Sequence, residues 1–597
     1  MSAIRRHSPA TGSSTTRGWC HSYLALLCCW LLPAAALAEI KIEIPDVPRP
    51  VEDNIRAFLS LTRYAERTDL TQEIMGRLLR RVVSETREAL EPLGYYDPKV
   101  EYGAEHQEGS WTVTILVAPG RPVRISEVSI NVSGAGQDEP ALRGIIESDE
   151  LKPGLRLNHG TYDSVKGSLL RAAKNQGYID AHFAKNELLI DRAERRATIT
   201  LLLDTGERYR YGEIVTLQDV ITDDAMRRLL RMKQGEPYTL DSLLRTQYVL
   251  DDSQYFANVD IDSGEPDPTT HTVPVTVSVD PNRKQRYAVS FGYATDTKAR
   301  GKFTWDNRRV NRQGHRSKVE VTGSSVLQEL SMRYVVPVRD IALEKVEFTG
   351  AAREEELGDT LSQQVEFGTG LNQVKGSWQR SLFVRLSNET TTLPSDSMTA
   401  RSRNTQFLII PGISFATLPS YVIGDVSRPY SIYTELRGSP STFGSDSSFL
   451  QLRLQAEGMI DLSELWHLRL RTELGTSWVG DFSDLPASQR FFAGGDRSVR
   501  GFALNSLSPK DDEGNSLGGR NLLTASVEIE RTLPRNFGVA AFYDIGNAFD
   551  NFGDSLASAA GVGVRYHIAV ASLGVDLAQP LSVSGSPRLH LYISTLF

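Results

Sequence analysis

From about Tyr287 to its last residue, the chain alternates between apolar and polar side chains in short runs separated by Gly, Asp, Asn, Ser and Pro. Tyr287–Thr295, Lys302–Asn307, Ser317–Ser324, Leu450–Gly458 and Gly561–Ile568 are examples, and helical periodicity is hard to find among them. A period of two sends successive side chains to opposite faces, so each run reads as a strand with two chemically different sides. The final run makes those sides explicit. Leu589, Leu591, Ile593, Thr595 and Phe597 share one face, and Arg588, His590, Tyr592, Ser594 and Leu596 share the other. An apolar face backed by a mostly polar one is the pattern of a membrane barrel, with lipid outside and a lumen inside. On this reading His590 is a lumen residue rather than a metal ligand. At roughly ten residues per strand plus turns, the region is long enough for about sixteen strands.

Composition taken alone points elsewhere, because 40% hydrophobic residues is ordinary for a soluble protein. A barrel needs apolar side chains on one face only, so the pattern outweighs the percentage. The N-terminus reads as a secretory signal peptide over residues 1–38. Arg5, Arg6 and Arg17 supply its positive region, Tyr23–Leu32 its apolar stretch, and Ala36-Leu37-Ala38 its cleavage pattern. Cys20, Cys28 and Cys29 are the chain's three cysteines and all fall in this leader, so no disulfide, thiolate nucleophile or Cys-ligated metal is expected beyond it. The formal charge is −8 and becomes more negative once the leader's arginines are gone, which argues against nucleic-acid binding.

Between the leader and the alternating region the sequence repeats loosely three times. The first unit has Leu70, Ile74, Leu78 and Val82 on one helical face, then Gly94-Tyr95-Tyr96-Asp97 and the strands Lys99–Tyr102 and Trp111–Val117. The second gives Val165–Ala173, Gly177-Tyr178-Ile179-Asp180 and Ala197–Leu203; the third gives Leu240–Leu250, Tyr255-Phe256 and Val273–Val279. Glycine after a helix suits the left-handed position at its end, so Gly94 and Gly177 read as structural. The third unit has Gln254 there instead. The expected boundaries are 39–121, 122–207 and 208–284 for the three units and 285–597 for the barrel.

Inside the alternating region, Phe491–Phe502 reads FFAGGDRSVRGF, a glycine-paired, charged loop between strands. Downstream, Ser526, Glu528 and Glu530 lie opposite Val527 and Ile529, and Asp544 lies opposite Val539, Ala541 and Tyr543, so these acids are expected to point inward. Here a resemblance becomes specific. The repeats resemble POTRA domains, and the loop resembles the sixth extracellular loop of the Omp85 family of outer-membrane proteins, its TamA branch in particular. Gly292–Trp305 and Leu573–Pro580 are also similar to barrel segments of that branch. The resemblance implies a loop folded back into the barrel, with the tip Arg500-Gly501-Phe502 against acids of the inner wall. Glu528 and Asp544 are the expected partners, and Glu530 is the weaker choice. Arginine suits the place because its planar fork can bridge two carboxylates.

The expected fold is therefore an all-β transmembrane barrel of about 16 antiparallel strands preceded by three α+β POTRA domains. The family implies a factor of the cell outer membrane, with its POTRA domains in the periplasm, that helps insert or translocate outer-membrane proteins such as autotransporters. It also implies a TamB-like inner-membrane-anchored partner and a role for outer-membrane lipid. No cofactor is expected. Closing the barrel requires Val289 and Phe291 in its first strand to meet Leu589, Leu591 and Ile593 in its last, and the terminal Phe597 resembles the assembly signal of bacterial barrels. Gly514-Asn515-Ser516-Leu517-Gly518 spells a hydrolase elbow but lacks the strand before it and the helix after it, so the chain is not expected to be an enzyme. A two-partner-secretion export pore and a passive solute porin are the alternatives.

Overall fold

The computed structural model describes residues 40–595 except 66, 68–70, 108–109, 394–402, 419–429 and 569–570. The expected signal peptide, Leu70 and Phe597 lie outside the described residues. The chain divides into two compact units, one ending at Arg208 and one beginning at Tyr209.

The first unit holds two small modules. In one, β1 (Ile40–Glu43) is followed by α1 (Arg49–Phe58), α2 (Ser60–Tyr64), α3 (Gln72–Leu90), β2 (Lys99–Gln107) and β3 (Ser110–Ala118), with sheet order β1-β3-β2. Thr71 caps α3 by accepting the Ile74 N–H, and Met75, Leu78, Val82 and Ala89 put the helix's apolar stripe against Val113 and Ile115. The other runs β4 (Arg124–Ser133), α4 (Pro140–Ile146), α5 (His159–Asn175), β5 (His182–Asp191) and β6 (Arg196–Asp204), ordered β4-β6-β5. Gly94 sits where they meet. Its φ is +86°, and a β-carbon there would come within 2.5 Å of the Leu157 carbonyl oxygen, so only glycine fits.

The second unit opens with a third module of the same order: β7 (Arg210–Leu217), α6 (Asp223–Leu229), α7 (Leu240–Asp252), β8 (Phe256–Ser263) and β9 (Thr272–Pro281). Gln254 has φ +59°, the left-handed position that Gly94 and Gly177 fill in the first two modules. Its carbonyl accepts from Asn282 at 3.1 Å and its side chain accepts from Arg316 at 3.0 Å, contacts that hold the less favourable backbone in place. The module is fastened to turns of the barrel. Arg231 forks onto Asp340 at 2.7 and 2.8 Å, the Thr222 N–H donates to Arg312 at 2.8 Å, and Ile341 enters the module's core.

Sixteen antiparallel strands then form one sheet in sequence order. They are β10 (Gln285–Ala294), β11 (Lys298–Asn307), β12 (Arg316–Gly323), β13 (Leu327–Pro337) and β14 (Glu344–Leu357). Next come β15 (Thr360–Lys375), β16 (Trp378–Thr392), β17 (Arg403–Thr417), β18 (Tyr430–Ser439), β19 (Phe449–Asp461) and β20 (Trp466–Val479). The last are β21 (Asn521–Leu533), β22 (Phe537–Phe549), β23 (Ala557–Ile568), β24 (Ala571–Pro580) and β25 (Arg588–Thr595). The barrel inverts the usual core. On β22 Val539, Ala541 and Tyr543 face outward and are exposed, while Ala540, Phe542 and Asp544 are buried on the inner side. The expected sixteen-stranded barrel behind three α+β modules is the fold observed. Among the described residues no helix is long and apolar enough to cross a membrane.

Candidate functional site

Residues 480–520, between β20 and β21, return into the barrel as a folded loop. Backbone pairs Phe491–Gly519 and Ala493–Leu507 brace it as a rough hairpin. At one end it is held by β16 and β19. The buried Glu389 carboxylate accepts the Ser488 N–H at 3.0 Å, Ala487 N–H donates to Thr391 at 3.2 Å, and Gln451 donates to the Gln489 carbonyl at 2.8 Å. At the other end the tip reaches β21–β24.

That tip is an ion cluster. Arg500, 4% exposed, lays Nε and Nη2 on the two oxygens of Asp544 at 2.7 and 2.9 Å, and its backbone N–H adds a third bond at 3.0 Å. Its Nη1 donates to Glu528 at 2.5 Å and Asp576 at 3.0 Å, and Nη2 also reaches Ser526 at 3.2 Å. The guanidinium stacks 3.4 Å above the Phe542 ring. That ring in turn lies against Gly561, where any β-carbon would fall 2.3 Å from it. Gly501, at φ +92°, passes so close to β23 and β24 that a β-carbon would sit 3.2 Å from that of Ala559.

Register explains the convergence. Ser526 lies across from Asp544, so Glu528 falls two residues along the same inner face, beside Phe542's inward ring. Glu530 points inward as well, but its partner is His567 Nε2 at 2.7 Å, not Arg500. Phe502 is half-buried and stands outside the ion cluster.

Two members had no individual signal in the sequence. Arg565 on β23 donates to Glu528 at 3.1 Å and to Asp576 on β24, and Asp576 in turn accepts from Arg500. Their trace in the sequence is Gly563 on the same inner face. A β-carbon there would come within 2.4 Å of the Arg565 guanidinium, so the glycine makes room for the pair. Two guanidiniums thus serve three carboxylates, and Arg469 stands at the edge of the cluster, 4.0 Å from Glu528. Buried charges of this kind hold only while every partner is present. Chemically the arrangement is a latch: the barrel wall binds the chain's own loop.

The barrel's seam lies beside the latch. β10 and β25 are the two ends of the sheet order and are not paired as strands. Among the described residues their backbones share one hydrogen bond, Thr295 N–H to the Leu591 carbonyl at 3.1 Å, while Leu591 N–H donates to Thr295 Oγ1 at 3.3 Å. The Ile593 carbonyl accepts from the Arg300 side chain at 3.1 Å. Val289, Phe291, Leu589 and Ile593 are exposed on the outer face, and Leu591 is half-buried. Setting Thr295 against Leu591 places Tyr293 level with Ile593. Ser516 sits in the returning loop, its N–H on Asp359 at 2.7 Å and its hydroxyl donating to the Ser506 carbonyl at 3.3 Å.

Comparison with known proteins agrees with this geometry. Residues 226–589 match the Omp85 superfamily domain, and residues 41–119 match the POTRA domain described as TamA domain 1. The chain is 25% identical over 169 residues to the outer membrane protein assembly factor BamA of Nitratidesulfovibrio vulgaris, covering 27% of this chain and 21% of that protein. It is 32% identical over 129 residues to the sorting and assembly machinery component 50 homolog B of Xenopus laevis, covering 21% of this chain and 27% of that protein. The chain therefore spans less than a third of the length of these relatives. In structure it resembles BamA from Haemophilus ducreyi lacking POTRA domains 1–3, with a TM-score of 0.61 at 15% identity over 79% of this chain and 99% of that one.

Proposed function

Because the chain belongs to the Omp85 superfamily, whose domain covers residues 226–589 of its 597, we propose that it is an outer-membrane assembly or translocation factor for outer-membrane proteins. Autotransporters are among its clients in this reading. The three modules stand in the periplasm and meet a TamB-like inner-membrane-anchored partner, and outer-membrane lipid is handled at the same seam. The match of residues 41–119 to the TamA POTRA domain supports that branch. No catalytic step or cofactor is involved.

The observation that carries the proposal is the seam. A barrel in lipid must satisfy its backbone groups internally, yet β10 and β25 share a single backbone hydrogen bond among the described residues. Their edges offer donors and acceptors to which a client strand can add. The returning loop crosses the lumen from Ser488 to Arg500, which opposes the free solute passage of a porin.

The test places cysteines at Tyr293 and Ile593, level across the seam, in a chain whose own cysteines lie in residues 1–38. Surface display of an autotransporter is compared with the pair oxidised and reduced. Loss of display only on oxidation is expected; full display from a completely crosslinked barrel overturns the seam as the working part.

A further inference from the structure

A second set of hydrogen bonds leaves the loop tip in the other direction, toward the seam. Gly501, next to the latch arginine, donates its N–H to His590 Nε2 at 3.0 Å. With Nε2 accepting, the ring proton resides on Nδ1, which faces the Asp496 carboxylate in direct hydrogen-bond contact. The Asp496 N–H in turn donates to Asp296 Oδ2 at 2.7 Å. Asp296 follows Thr295, the residue that bonds Leu591 on β25. Three segments far apart in the chain are thereby joined: the β10–β11 turn, the returning loop and β25.

The local backbone is shaped for these contacts. Gly495 has φ +103°, and a β-carbon there would lie 2.7 Å from Asp296 Oδ2, so glycine lets that carboxylate reach the loop. His590 is 1% exposed, and the Asp496 side chain is 11% exposed, so water competes little for these groups.

Ligand atoms of Asp296, Asp496 and His590 all lie within 4.8 Å of one another, a spacing a divalent cation could use. The hydrogen-bond directions argue for the other reading. Both ring nitrogens of His590 are engaged, one by a backbone donor and one by its own proton, and a cation at Nδ1 would have to displace that proton.

We infer that His590 is a positioning residue that couples the seating of the Arg500 tip to closure of the seam. It ties β25 to the tip, and Asp496 with Asp296 ties the tip to the first hairpin. Only one backbone bond joins β10 to β25 among the described residues, and these side-chain bonds add a route from β25 through the loop tip to the β10–β11 turn. The inference rests on the seam reading proposed above for its functional meaning, but the coupling itself is a property of the barrel.

The experiment uses the full chain in proteoliposomes, with spin labels on cysteines introduced at Phe291 and Leu589. Both side chains are exposed on the outer face, at 84% and 52%. Pulsed electron paramagnetic resonance then reads the distance distribution across the seam. His590→Phe keeps an aromatic ring of similar width and removes both hydrogen bonds. It is expected to raise the population at long distance about tenfold, the ratio that follows from losing one buried hydrogen bond without replacement. His590→Gln, whose amide can both accept from Gly501 and donate to Asp496, is expected to restore the parental distribution. Asp296→Ala, which leaves His590 in place, is expected to widen the distribution as His590→Phe does and serves if that variant does not fold.

Parental distances in both His590→Phe and Asp296→Ala overturn the inference, as does a His590→Gln protein as wide as His590→Phe. Widening of the parental protein by a chelator alone also overturns it, in favour of a bound cation. Client display is scored on the same variants. A widened seam with undiminished display upholds the coupling and defeats the seam reading of function, so the two failures are separable.

Discussion

Two stretches of the same barrel wall are built on opposite terms. Along β21–β24, inner-face side chains form a continuous charged cluster around Arg500, with Asp544 and Asp576 fully buried. Where β10 meets β25, two backbone groups of β25 are met by side chains, Thr295 Oγ1 and the Arg300 guanidinium, and the chain through His590 ties β25 to the loop tip. The strong wall depends on charges that cannot be removed singly, and the weak one on bonds that can be exchanged one at a time. The difference teaches how a barrel can remain folded while one seam opens. The loop is anchored to the charged wall along β21–β24 and also touches the seam between β10 and β25.

The largest expected effect comes from breaking the strong wall. Arg500→Met leaves Glu528, Asp544 and Asp576 buried without their shared cation, which costs about 3–5 kcal/mol. The folded band in unheated gel electrophoresis should be lost at a much lower urea concentration. Arg500→Lys keeps the charge but cannot fork onto both Asp544 oxygens, and should fall between the two. A parental urea midpoint for Arg500→Met would remove the contrast between the walls. Asp544→Asn is expected to cost less, about 1.5–3 kcal/mol, because Arg500 retains Glu528 and Asp576.

Much of this contrast was legible in the sequence, and the exceptions have physical causes. A period of two fixes which face each residue takes, so Glu528 and Asp544 could be placed inside the barrel, and Arg500 was matched to them through resemblance to a family loop. Arg565 and Asp576 satisfy the same parity, but an inward charge in a barrel is ordinarily solvated, and nothing local distinguishes a paired one. Only the β23–β24 register, which sets Gly563 opposite Asp576, brings the two together. Likewise His590 reads as a lumen residue from parity alone, because its partners Gly501, Asp496 and Asp296 are delivered by a loop and a distant turn. Seam register was not legible at all. It depends on the accumulated stagger of sixteen strands, which sets Thr295 against Leu591.

On the weak wall, Thr295→Val removes the acceptor for the Leu591 N–H and keeps the side-chain shape, at an expected cost of about 0.5–1.5 kcal/mol. The urea midpoint, governed by the rest of the barrel, should barely move. Hydrogen exchange at the Leu591 amide should quicken roughly tenfold if the seam opens as a local unit. Equal slowing or quickening along β21–β24 would mean that the two stretches are one cooperative body, and the contrast would fail.

The smallest effect sharpens the contrast by pH. Burial, with the neighbouring Asp496 carboxylate adding to it, holds the Asp296 carboxyl above the ordinary carboxylate range. An acid whose folded pKa is raised binds its proton more tightly in the closed state than in the open one. Its ionised form therefore weakens closure at neutral pH, and that penalty is relieved as pH falls from the raised value toward the ordinary one near about 3.9. Seam distances should narrow modestly on acidification. His590 faces the same carboxylates, so the measurement belongs in the His590→Gln background, which leaves Asp296 with the Asp496 carboxylate beside it. Asp296→Asn on that background should give distances that no longer change with pH. If the narrowing persists without the Asp296 carboxyl, the pH response arises elsewhere, and the ion cluster of the strong wall becomes the place to look for it.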